Sequence, residues 1–102
     1  MNKQEHGTPF FVTATHATAA VASNTGVANK VHYVTDITVS SDKAGAILLI
    51  KQGTTTIWQA QVGAGIHSHS FMSPLTGAVG ALVSVEIDGT SACKANIAGF
   101  TL

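Results

Sequence analysis

Residues 30–40, KVHYVTDITVS, constrain this chain more than any other segment, because β-branched and aromatic side chains recur there at every second position. Val31, Tyr33, Thr35, Ile37 and Val39 fall on one face of an extended strand, and His32, Val34, Asp36, Thr38 and Ser40 on the other. That period, with that enrichment, predicts a half-buried β-strand. Residues 46–52 (AILLIKQ) and 54–62 (TTTIWQAQV) flank Gly53 and read as a hairpin. Alternation returns in 66–71 (IHSHSF). A loop is expected over 72–80, marked by Pro74 and two glycines, before strands at 81–88 and 92–102 separated by an Asp88-Gly89 turn. Upstream, 10–15 (FFVTAT) reads as a strand and 17–28 as another with a turn at Asn24 and Gly26. The alanines of 17–22 are interrupted by Thr and Val and form no amphipathic helical stripe, so no helix is predicted there.

Short strands at close spacing without helices predict an all-β antiparallel β-sandwich, jelly-roll-like, of about eight strands. Immunoglobulin-like packing is the alternative, but Cys93 is the single cysteine and the characteristic pair is missing. At 102 residues the chain holds one domain, read as 10–102 behind a polar N-terminal arm over 1–9. Ala, Thr, Gly and Ser make up 46 residues, so the core gains less per side chain than one rich in Leu and Phe, and self-association would supply the missing burial. With 10% charged residues and a formal net charge of zero, the chain lacks the basic footprint that nucleic acid or an anionic membrane selects. A lone cysteine in a strand pattern reads as a small buried hydrophobe. The first nine residues show no apolar signal region and no segment reaches a membrane-spanning length, which fits synthesis in a cytoplasm.

Candidate chemistry is sparse. His67 and His69, two apart on a strand, fall on one face and are the candidate metal ligands; the same spacing occurs in cupins, which are also small jelly rolls. The cupin pattern then requires a Glu shortly after the second His and a later His, whereas Phe71, Met72 and Ser73 follow and no His comes after His69. His6, His16 and His32 are the remaining third-ligand candidates. The acids Glu5, Asp36, Asp42, Glu86 and Asp88 form no catalytic motif, no G-x-S-x-G elbow is present, and the glycines sit at turns instead of in a phosphate loop. The expectation is a non-enzyme without a cofactor. Trp58 alternates with Ala60 and Val62, which assigns it to the apolar face in preference to a sugar-binding platform.

Three segments carry a family resemblance: residues 32–58 (HYVTDITVSSDKAGAILLIKQGTTTIW), 71–77 (FMSPLTG) and 96–102 (NIAGFTL). Their order and spacing resemble small virion proteins of tailed bacteriophages, while residues 1–30 match no such pattern. The resemblance implies a compact jelly-roll sandwich forming a homotrimer on the virion. Its function would be head decoration: cement on the outer capsid surface, bridging copies of the major capsid protein. No individual functional residue carries over. Asn2, Lys3, Gln4, Glu5, His6 and Pro9 of the polar arm are the candidate contacts to capsid or neighbouring subunit, since an extended arm can order on binding and wrap more surface than a folded domain. The alternative is a tail- or fibre-associated module that recognises host-surface carbohydrate.

Overall fold

The computed structural model describes residues 7–102. Eight strands follow in order: β1 (Thr8–His16), β2 (Ala19–Asn24), β3 (His32–Ser41), β4 (Ile47–Gln52), β5 (Thr55–Gln61), β6 (Gly65–Thr76), β7 (Val83–Asp88) and β8 (Cys93–Thr101). The first pairs with the last, β2 with β7, β3 with β6 and β4 with β5, all antiparallel. Rolling up that nested ribbon gives two four-stranded sheets, β1-β8-β3-β6 and β2-β7-β4-β5, the strand arrangement of a jelly roll. The all-β sandwich expected from the alternation is therefore the observed fold.

The core lies between the sheets. Ile37, Val39, Ala95 and Ile97 of one sheet meet Ala20, Ala22, Leu48, Ile50, Val83, Val85 and Ile87 of the other, all buried. Each fully buried Val, Leu or Ile contributes about 1.5–3 kcal/mol, whereas the alanines contribute less and draw the sheets together. Cys93 is buried among them, as its strand context implied, and its thiol donates to the His16 carbonyl at 3.2 Å. Gly53 occupies the left-handed region (φ 58°) that closes the tight β4–β5 hairpin, a conformation costly for other residues.

Bulges change the faces predicted from strict alternation. In β3 the register shifts between Val34 and Asp36 against both neighbours, leaving Thr35 as the extra residue. His32 and Val34 consequently point inward together with Ile37 and Val39, although the sequence period sets them on opposite faces. His32 and Asp36 do not share a face for the same reason. A second bulge at Ile57 lets both Ile57 and Trp58 pack against the core.

Two boundaries also differ from the sequence reading. Instead of a loop from Met72, β6 runs to Thr76: after bulging through residues 71–74 it rejoins β3 with Leu75 opposite Val34 and Thr76 opposite Tyr33. Pro74 is tolerated because β6 is a sheet edge, where a missing N–H leaves no ladder bond unmade. Pro9, assigned to the polar arm, belongs to β1 and sits opposite Phe100. Asn2, Lys3, Gln4, Glu5 and His6 lie outside the described residues.

Candidate functional site

The two ends of the sandwich differ in chemistry. At one end the β1–β2, β3–β4, β5–β6 and β7–β8 connections gather, tied by polar contacts. Asp42 accepts the backbone N–H groups of Thr90, Ser91 and Ala92 and a short hydrogen bond from the Ser91 hydroxyl. That hydroxyl, with the N–H groups, holds the Asp42 carboxyl well below the usual carboxylate range. Asp88 is lowered chiefly by its hydrogen bond from Lys43 Nζ at 2.6 Å and by the Ile47 N–H at 2.7 Å. The His16 ring accepts the N–H groups of Thr18 and Ala19, each at 3.1 Å, and turns the β1–β2 corner.

The opposite end exposes apolar side chains beside Asn29 and Lys30. Here the β2–β3 and β6–β7 connections pack together through the Gly80 N–H bond to the Lys30 carbonyl, and Leu102 pairs with Val31. Val27, Val79 and Leu102 are exposed. Beside them a pocket of about 300 Å³ is lined by Thr8, Pro9, Phe10, Asn24, Val27, Lys30, His32 and Thr101. His32 forms its buried base: Nε2–H donates to the Thr25 carbonyl at 2.8 Å, Nδ1 meets the Thr101 hydroxyl at 2.7 Å, and Phe10 packs edge-on at 5.3 Å. These partners occupy both ring nitrogens.

A third feature lies along the flank where the edge strands β5 and β6 face each other from different sheets. Trp58, His69 and Phe71 close it as a three-ring cluster, with Trp58 4.9 Å from His69 and 5.6 Å from Phe71. Trp58 and Phe71 are half-buried; His69 is exposed. Trp58 thus packs on the core as expected, yet one side of its cluster is open to solvent.

The structure brings His67 and His69 onto one strand face but gives them different surroundings. His69 packs tilted against Trp58 and edge-on to Phe71, while His67 Nε2 is buried near Gly65 without a hydrogen-bond partner among the described residues. His16 lies three strands across the sheet, more than about 14 Å away at strand spacing, and His32 about 20 Å along β3. Among the described residues no three His, Cys, Asp or Glu side chains come together to hold a metal ion. The four described acids are all engaged: Asp36 with Ser70 at 2.6 Å, Asp42 and Asp88 as above, and Glu86 with Lys51 at 3.2 Å. Alternation alone could have placed His69 and Phe71 on one face. What it could not supply is the opposition of β5 and β6 that adds Trp58.

No protein-family model and no curated protein matches the sequence. In fold, the chain is similar to the C-terminal CBM6 of LamC, a marine laminarinase from Zobellia galactanivorans, with a TM-score of 0.52 and 12% identity over 92% of this chain and 99% of that one. Identity this low establishes a shared β-sandwich and nothing further. Weaker likenesses include the insecticidal delta-endotoxin Cry8Ea1 from Bacillus thuringiensis (TM-score 0.46, 13% identity, 97% of this chain and 21% of that one). Another is PliG, a periplasmic inhibitor of g-type lysozyme from Aeromonas hydrophila (TM-score 0.41, 8% identity, 98% and 92%).

Proposed function

We propose that this chain is a non-enzymatic binding module of a bacteriophage particle that decorates the outer capsid surface as a homo-oligomer and bridges neighbouring capsomers. The observation that carries this reading is the ordered resemblance of residues 32–58, 71–77 and 96–102 to small virion proteins. The architecture is compatible with it: one end is polar and cross-linked by hydrogen bonds, and the other presents Val27, Val79 and Leu102 beside the first described residues of the chain. Exposed apolar side chains of this kind suit docking on protein. Several copies in one oligomer multiply modest contacts by raising the effective concentration of each further contact.

A second reading, recognition of host-surface carbohydrate from a tail or fibre, has its own support. The neighbour of highest TM-score reported above is a CBM6, and the part-exposed Trp58–His69–Phe71 cluster offers ring faces to a sugar. Of the two readings, the fold comparison leans toward this one, whereas sequence resemblance carries the first.

Co-sedimentation separates them. Purified protein mixed with empty capsids should pellet in a saturable ratio to the major capsid protein. Failure to pellet, together with retention on host-cell glycans that is lost in Trp58→Ala, would replace the first reading by the second.

A further inference from the structure

Four strands are sheet edges, and three of them are blunted. Exposed edges template pairing with other chains unless they are short, bulged, charged or interrupted by proline. The β6 edge bulges through residues 71–74 and contains Pro74, β5 is bulged at Ile57, and β2 has only six residues. The β1 edge has none of these features along its central stretch. It pairs with β8 in unbroken register over nine residues and contains no Lys, Arg, Asp or Glu, with Pro9 only near its start. Among the described residues its other side has no partner strand. Phe11, near the middle of its outward face, is 68% exposed because the residue opposite on β8 is Ala98, too small to cover the ring.

We infer that the β1 edge is an isologous contact surface for a second copy of this chain. The two β1 strands pair antiparallel about a two-fold axis near Phe11 and join two four-stranded sheets into one of eight. In a strand paired with itself in reverse the groups at the axis face their own images, and β1 carries no Lys, Arg, Asp or Glu there or elsewhere to repel. The same pairing sets Phe11 against Phe11 and Pro9 against Thr13, so the largest exposed apolar ring on the edge is covered by its own copy. A charged partner would find no complementary group along this strand. The contact stands independently of capsid or glycan binding.

The test is light scattering with size-exclusion chromatography on the full chain at about 100 µM, a concentration that populates micromolar complexes. The expected species is a dimer. Phe11→Lys places two ammonium groups across the axis and should weaken association about tenfold or more. Mixing Phe11→Lys with Phe11→Glu should restore the dimer. Circular dichroism should match wild type, since Phe11 is exposed in the monomer, and the melting temperature should match at concentrations low enough for wild type to be monomeric. A monomeric or trimeric wild type, or a dimer unchanged in the folded Phe11→Lys variant, overturns the inference.

Discussion

Ile97 and Ile66 are both isoleucines in strands of the same sheet, and exchanging each for Ala should have very unequal consequences. Ile97 lies in the central strand β8, 0% exposed, paired with Val12 on one side and Ile37 on the other. Ile66 lies on the edge strand β6, 77% exposed. Truncating Ile97 removes three carbons from a closed core, a transfer loss of about 2.4 kcal/mol at about 0.8 kcal/mol per methylene. The cavity between the sheets raises the total to about 3–4 kcal/mol, within the range for buried Ile→Ala. Against the roughly 5–15 kcal/mol of a domain this size, that is a large share of the stability. At about 4–8 °C per kcal/mol the melting temperature should fall by about 12–30 °C. The Ile66 variant should stay within about 0.5 kcal/mol of wild type. Thermal melts and urea titrations followed by circular dichroism measure both. Equal melting temperatures for the two variants would refute the assignment of inner and outer faces in this sheet.

Three further outcomes follow from single residues. A Cβ at Gly99 would penetrate the Tyr33 carbonyl, lying 2.9 Å from its carbon and 3.0 Å from the Phe10 ring. Gly99→Ala should therefore cost about 3 kcal/mol or more in a urea titration, at the upper end of overpacking effects. Asp42 and Asp88 have folded pKa values below their ordinary 3.8, so the stability they supply is fully present above that value and is lost progressively as pH falls from there through their lowered folded values. Melting temperature should drop between about pH 5 and pH 2, with a shallower slope in Asp42→Asn. Finally, Trp58 is the single tryptophan and packs against His69. His69→Ala should red-shift its emission and raise acrylamide quenching; an unchanged spectrum would mean that the flank is closed by other groups.

The alternation in residues 30–40 and the turn residues between strands were enough to establish an all-β sandwich, because strand period and turn chemistry are local properties. Burial of Cys93 and the inward packing of Trp58 were legible for the same reason. The bulge at Thr35 was not, since an extra residue leaves the pattern of side chains along the chain untouched and shows only against β6 and β8. That one residue decides which face of β3 holds His32 and Val34. It also removes His32 from any site with Asp36 and makes it the hydrogen-bonded base of a pocket. The extension of β6 past Pro74 was hidden likewise, because proline is excluded from a central strand but not from an edge, and edge position is a tertiary fact.

What the sequence determined by itself was a small, sparsely charged, strand-forming chain with a light core. Which strands are edges, which of them is unguarded, and which rings meet across the open flank were decided only by the rolling of four nested strand pairs. Those contacts join residues far apart in the chain, and no local pattern encodes them.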